Sequence, residues 1–199
     1  MKQKIVRDIA ELPTYGFGPT SVPWWGSMGF IAIEGMGFAI AIGAYLYLQA
    51  TNQKWPINSA PPDLWPGTLA TAVFLASVIP NEIANRVAHR LDLARVRIWL
   101  VVMSIVGIGL LIIRGFEFAH LNTRWDLDAY GSAVWVVLGL HTTHLVTDLV
   151  DTLVLTALMF TRHATPRRFS DVSDNAFYWN FVVLAWLPLY LLLYWAPRL

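Results

Sequence analysis

Residues 130–160 read YGSAVWVVLGLHTTHLVTDLVDTLVLTALMF, an apolar run that nevertheless carries His141, His144, Asp148 and Asp151. A helix that crosses a bilayer needs about 20 mostly apolar residues, so this segment has length to spare and is expected to tilt or protrude. Its four ionisable positions are three, four and three residues apart. At about 100° per residue they fall within an arc of roughly 80°. A polar stripe this narrow is too costly to turn toward lipid. It must face a helix bundle, a partner subunit or a water-filled cleft. The segment therefore reads as one helix of a membrane bundle.

The rest of the chain agrees. Of 199 residues, 56% are hydrophobic and 14% charged, against about 25% charged in a soluble domain. Mean hydropathy is +0.51. Four more apolar blocks fit the bilayer: 24–48, 67–83, 97–118 and 175–195. Pro80 is expected to kink or end the second. The expected fold is all-α, an integral membrane bundle of five transmembrane helices spanning 24–199 as a single domain. Residues 1–23 hold Pro13, Pro19 and Pro23 but no apolar signal core, and read as an extramembrane arm. Residues 49–66 carry four prolines and should be extended. Trp24, Trp25, Trp55, Trp65, Trp99, Trp125, Trp179 and Trp195 fall near span ends, as an aromatic belt requires.

Charge sets the expected orientation. Lys2, Lys4, Arg7, Arg86, Arg90, Arg95, Arg97, Arg162, Arg167 and Arg168 lie on one side. Lys54, Arg114, Arg124 and Arg198 lie on the other. Ten against four places the N-terminus in the cytoplasm and the C-terminus outside. A net charge of +1 offers no basic field for nucleic acid. The absence of cysteine removes disulfides, Cys-ligated clusters and copper, and covalent c-type haem.

The ionisable residues at membrane depth are the candidate sites. Glu34 lies mid-span with Gly35 and Gly37 just after it, expected to let a neighbouring helix approach. It reads either as a lipid- or proton-linked group or as a neutral carboxyl bonded across helices. Glu117 follows Arg114 by three residues on one helix face, which suggests an ion pair at a helix end. Glu82 and Arg86 should pair on a solvated helix end. His141 and His144 suggest a metal, but one helix cannot present ligands to both faces of a haem. No third ligand for a mononuclear site is evident at their depth. A hydrogen-bonded polar seam is the simpler reading, with metal binding or proton transfer as the alternatives. No metal site and no catalytic residue is expected, because no nucleophile–base set or phosphate loop is present.

The order of motifs resembles subunit III of haem–copper oxidases, cytochrome c oxidase subunit III in particular. Gly29–Phe30–Ile31–Ala32–Ile33–Glu34 is similar to that family's span with a mid-membrane Glu. Trp55–Pro56 and Pro61–Pro62 stand where the family has a Trp-Pro turn and further prolines. Phe116–Glu117–Phe118 and Tyr130–Gly131–Ser132 resemble the next two motifs. Gly139–Leu140–His141–Thr142–Thr143–His144 keeps the Gly and both His of the family's His motif. Tyr178–Trp179–Asn180–Phe181–Val182–Val183 and Trp186 resemble the last span. There Asn180 and Val183 replace a His and an Asp, and Asp148 stands where a Gly is usual. Longer members have two more spans ahead of these five.

The resemblance implies a non-catalytic subunit of a proton-pumping terminal oxidase in a bacterial inner membrane. It implies subunit I as the main contact, with subunit II and small subunits in the same complex. Haem and copper would belong to those partners, and this chain would hold structural phospholipids and support proton uptake. Alternatives are a subunit-III-like accessory protein of nitric oxide reductase and subunit III of a quinol oxidase. A small proton-coupled transporter is a more distant one, since no repeat is visible. With two spans missing, a groove beside spans one and two is expected to take lipid or a partner's helices, with Trp24, Trp25 and Trp55 at its ends and Glu34 at its depth. All four residues of the His/Asp stripe are expected to face inward, with Glu117 a partner for one histidine.

Overall fold

The computed structural model describes residues 15–199, so Lys2, Lys4, Arg7 and Pro13 of the expected arm lie outside the described residues. After a short turn at Gly18–Thr20 come five long helices: α1 Val22–Thr51, α2 Leu64–His89, α3 Leu93–Ala119, α4 Ala129–Met159 and α5 Pro166–Tyr190. A π-helical turn, Leu191–Trp195, carries α5 onward to a last turn at Ala196–Arg198. There is no strand among the described residues. All five helices are long and apolar enough to cross a membrane. The chain is a multi-pass membrane protein.

α1, α2 and α3 run beyond their apolar blocks at both ends and α5 starts well before its own, for local reasons, while α4 matches its block to within a residue at each end. Pro80, expected to kink or end the second span, does not end α2. The turns after it bury Asn81, Ala84, Val87 and Ala88 against neighbouring helices, and this packing carries the helix to His89. Arg86 therefore rides on α2, and Arg95 and Arg97 on α3, leaving a tight link at 90–92. Asp92 caps α3 by accepting from the Arg95 amide at 3.1 Å. Asp128 caps α4 through the Gly131 amide at 2.8 Å. Pro166 starts α5 nine residues before the apolar block, at a position where its missing N–H costs nothing. That polar extension is anchored by Phe169 and Val172, packed with Val87, Val96, Leu100 and Met159.

The helices do not share the bundle equally. α2, α3, α4 and α5 each pack on two neighbours and close a ring, while α1 lies outside it over the α4–α5 seam. Between helices in lipid, tight packing and hydrogen bonds replace the hydrophobic drive of water. The ring's centre shows both. Phe74, Trp179, Trp186 and Tyr194 are buried there. Trp179 Nε1 donates to Ser77 at 2.9 Å and Trp186 Nε1 to Thr71 at 2.8 Å, clasping α5 to α2. A Cβ on Gly67 would overlap the Tyr194 ring, so only glycine admits that ring at the start of α2. Gly35 and Gly37 behave differently from the expectation. A Cβ at Gly35 would meet Phe181 in ordinary contact at 3.8 Å, and at Gly37 it would meet nothing. Neither is needed for close approach of another helix of this chain.

Candidate functional site

Four of the six buried polar candidates fall into two separate clusters. The first spans α3, α4 and α5. Arg114 and Glu117, 2% and 0% exposed, stand with Nη1 and Oε2 2.8 Å apart. They were expected as an ion pair at a helix end, and they form one, but inside the bundle. Tyr194 donates to Glu117 Oε1 at 2.8 Å. Arg114 Nη2 donates to His141 Nδ1 at 3.0 Å, and His141 Nε2 in turn donates to the Val182 carbonyl at 3.0 Å. The carbonyl can only accept, so His141 is the neutral tautomer with its proton on Nε2. The Arg114 guanidinium lies 4.3 Å over the Trp186 ring. This cluster offers the charge of a buried cation three stabilising contacts. A buried pair left without such contacts would lose more in desolvation than it gains.

The second cluster joins α1 to the ring. Tyr178 donates to Glu34 Oε2 at 2.7 Å, and His144 Nε2 lies 3.3 Å from Glu34 Oε1. His144 Nδ1 donates to the Leu140 carbonyl at 2.6 Å. Phe38 packs against the His144 ring at 4.6 Å between centroids. The expectation that Glu117 partners a histidine is not met. Glu117 takes Arg114 and Tyr194, while His144 takes Glu34. The reason is helix placement, since α1 covers the seam where His144 emerges.

The His/Asp stripe divides. His141, His144 and Asp148 are buried, whereas Asp151 is exposed and accepts from Asn175 Nδ2 at 3.0 Å. An inward-facing run of four is therefore corrected to three, because the buried face of α4 continues from Asp148 through Thr152, Leu155 and Met159, and Asp151 lies off it. Asp151 lies on the wall of a cleft of about 460 Å³ between α1, α4 and α5, where Asp148 is also found. Asp148 does not take over a buried contact from the missing last-span acid. Neither of its oxygens has a partner among the described residues. Val183 is simply buried, and Asn180 accepts from Asn81 Nδ2 at 3.1 Å. Glu82 and Arg86 pair at 2.7 Å on an exposed face, as expected.

The tryptophans are placed unevenly. Trp24 and Trp25 lie together at the start of α1, Trp24 also against Phe177 at 5.6 Å. Trp55 does not stand at the end of an open groove. Its Nε1 donates to Tyr45 at 3.0 Å and its ring meets Tyr130 at 5.0 Å, so it closes α1 onto α4. α1 and α2 are not major neighbours. Tyr178, Tyr194 and Asn175 were not picked out as site residues. Asn175 and Tyr178 lie one turn apart on α5, whereas Tyr194 lies in the π-helical turn beyond it and reaches Glu117 on α3, so no single helical period marks the three.

The pattern of motifs and this helix order converge in a comparison of sequences. The family model of cytochrome c oxidase subunit III matches residues 28–197, from the first turns of α1 through the end of α5. The chain belongs to the cytochrome c oxidase subunit III family. Relatives agree. A probable cytochrome c oxidase subunit 3 of Mycobacterium leprae is 27% identical over 173 residues, 85% of each chain. Cytochrome c oxidase subunit 3 of Corynebacterium diphtheriae is 22% identical over 175 residues, again 85% of each chain. That of Synechocystis is 24% identical over 182 residues, 89% of this chain and 77% of the relative. Membership makes this chain a structural subunit of an oxidase complex with other subunits. Among the described residues no three His, Asp or Glu side chains cluster as metal ligands.

Proposed function

We propose that this chain stabilises the catalytic subunit I of a proton-pumping terminal oxidase in a bacterial plasma membrane, and that cytochrome c is the donor of that oxidase. The observation that carries the reading is the family match across residues 28–197. The relatives, each a cytochrome c oxidase subunit 3 by name, favour cytochrome c over a quinol. Subunit II and small subunits complete the complex, and haem and copper reside in the partners. The N-terminus is cytoplasmic, supported by ten Lys and Arg against four.

Glu34, His144, Asp148 and Asp151 serve proton uptake in this reading. They run along α1 and α4 toward the proposed cytoplasmic face, from a buried carboxylate–imidazole pair to an exposed Asp. Arg114, Glu117 and His141 have a structural role, because their polar contacts are made within the chain. Structural phospholipids line the exposed side of α1 near Trp24 and Trp25, where the helix is little covered by its own bundle.

The test is affinity purification of the tagged chain from its native membrane. Co-purification of a haem–copper oxidase with cytochrome c-dependent oxygen uptake is expected. Co-purification of a nitric oxide reductase or quinol oxidase instead would overturn the assignment.

A further inference from the structure

Asp148 is 2% exposed and has no partner on either carboxylate oxygen among the described residues. The donors around it are committed elsewhere. Thr147 donates to the His144 carbonyl at 3.0 Å, Thr152 to Asn175 Oδ1 at 3.3 Å and Tyr178 to Glu34 at 2.7 Å. Buried polar atoms in native proteins are almost always hydrogen-bonded, and a buried charge without donors is costlier still. The observed arrangement therefore suits a protonated Asp148. The ionised acid needs water, and α1 decides how much water reaches it.

Glu34 lies beside His144 at 3.3 Å and Tyr45 beside Tyr130 at 6.5 Å, so α1 and α4 run antiparallel. Four residues from the first contact, toward the start of α1 and the end of α4, come Phe30 and Asp148. They stand at one level, and both line the cleft. α1 is held unevenly. Its two buried residues, Phe38 and Tyr45, follow Glu34. Ahead of Glu34 its rings rest on α5, Trp24 on Phe177 at 5.6 Å and Phe30 on Tyr178 at 6.0 Å. Toward α4 that limb faces the cleft of about 460 Å³.

Glycines flank the limb. Gly18 has a φ of 60°, which other residues rarely adopt. Gly35 and Gly37 would meet nothing closer than 3.8 Å with a Cβ, so neither is kept for packing within the chain. Such glycines weaken a helix and mark where it bends. Before Gly18 the chain is fixed again, because Ser170 donates to the Gly16 carbonyl and Phe17 stacks on His89 at 4.1 Å.

We propose that residues 22–33 of α1 form a lid, hinged at Gly18 and at Gly35–Gly37, that closes toward α4 when Asp148 is protonated and swings away when Asp148 is ionised. The limb reads VPWWGSMGFIAI and carries no charge, so it can cover the acid but not neutralise it. The other titratable or charged groups around Asp148 are Asp151 on α4 and Arg168, Asp171, Asp174 and Tyr178 on α5, with Glu34 and His144 at the end of the limb. Arg168 is already bound to Asp171 at 2.7 Å, so the remaining acids add to the cost of a dry charge on Asp148. The device belongs to this chain alone and stands whether or not the oxidase assignment does.

The experiment uses spin labels, which the absence of native cysteine makes site-specific. Val22→Cys with Ala157→Cys reports the limb against α4, and Leu46→Cys with Val136→Cys reports the rest of α1. All four positions are exposed. Distances are read by pulsed electron spin resonance on the purified full chain in nanodiscs, from acid to alkaline buffer. The limb pair should pass from a shorter to a longer distance as pH rises. The ratio of the two populations should change about tenfold, the size of one stranded buried polar group. The second pair should hold one distance. Asp148→Asn cannot ionise and should keep the limb pair at the shorter distance at every pH. Gly35→Ala combined with Gly37→Ala stiffens the hinge without a clash and should reduce the response, which keeps the test open even if the Asp148 variant fails to fold. One limb distance at every pH in the otherwise unaltered chain would overturn the lid. A response that survives Asp148→Asn would assign the titration to Glu34 and His144 and overturn the role of Asp148. Equal movement of both pairs, or a full response in the double alanine variant, would overturn the hinge. Co-purification with an oxidase reads a different property, so its failure and the failure of this test are told apart.

Discussion

His144 Nε2 and Glu34 Oε1 stand 3.3 Å apart across the seam between α1 and α4, and one proton has to lie between them. The His144 Nδ1 hydrogen is already given to the Leu140 carbonyl at 2.6 Å. A neutral imidazole would then turn a lone pair toward a carboxylate. Only an imidazolium beside a carboxylate, or a neutral imidazole beside a carboxylic acid, satisfies both atoms. The pair is thus both a fastener for α1 and a holder of one exchangeable proton.

These two roles separate under substitution. Glu34→Gln keeps an acceptor for Tyr178 and supplies an N–H to neutral His144, so α1 should stay docked with a stability loss under about 1 kcal/mol. Glu34→Leu and His144→Leu each strand a buried polar partner and should cost about 1–3 kcal/mol. Thermal unfolding in detergent reads the difference. In the assembled oxidase, His144→Leu should lower the yield of complex and leave the haem spectrum of what assembles unchanged. An altered haem spectrum with full assembly would show the seam acting on redox chemistry. Slowed proton uptake in Glu34→Gln, with assembly intact, is the expected sign of the proposed proton role.

Arg114 and Glu117 answer to a different rule. Removing one member of a buried pair leaves an uncompensated charge. Arg114→Met should destabilise the bundle by about 3–5 kcal/mol. Adding Glu117→Gln to it should recover much of that loss, because Gln still accepts from Tyr194 and no charge remains. If the double variant unfolds as early as the single one, the loss lies in the Trp186 stacking and not in the charge.

How much of this was legible follows the physics of each signal. Five spans could be read because a bilayer demands length and apolarity, and those are counted directly. The ends of α4 could be read to within a residue, but the starts of α3 and α5 could not, because the Asp92 cap and Pro166 at the first helical position set them outside the apolar blocks. Pro80 does not end α2 because tertiary packing of Asn81, Ala84 and Val87 outweighs a missing backbone bond. The inward face of α4 was legible from period for His141, His144 and Asp148 but not for the exposed Asp151. Which partner each polar group takes was not, since a stripe gives direction and not neighbour. His144 meets Glu34 because α1 lies over the α4–α5 seam, and nothing in the spacing of either helix says so.

Glycine need not mean close packing, and two positions should show it. Gly67→Ala sets a methyl against the Tyr194 ring, which also donates to Glu117. Overpacking of this kind should cost about 1–3 kcal/mol. Gly37→Ala enters open space and should be neutral or slightly stabilising, since Ala is favoured over Gly in a helix by up to about 1 kcal/mol. Melting curves of the two variants in one detergent decide the point. A neutral Gly67→Ala would mean that Tyr194 swings away freely and that its bond to Glu117 contributes little.

The separated chain should carry neither haem nor copper, and the reason lies in the occupancy of its ring nitrogens. A metal-ligating histidine must offer a lone pair. His141 Nδ1 has already accepted Arg114, and its Nε2 hydrogen is bonded to Val182 at 3.0 Å. His144 commits Nδ1 to Leu140 and faces Glu34 with Nε2. Freeing either ring would strand a buried cation or a buried carboxylate, a loss of a few kcal/mol for each ligand gained. Nor do the two rings face one site. His141 lies among Phe74, Trp186 and Arg114 inside the ring, while His144 turns outward to α1 and Phe38. Elemental analysis of the chain split from its complex should find iron and copper well below one per polypeptide, with no Soret band. A stoichiometric metal that survives chelator, and that is lost in His141→Gln, would mean that Arg114 leaves His141 in the assembled state and that the buried pair is a masked ligand set.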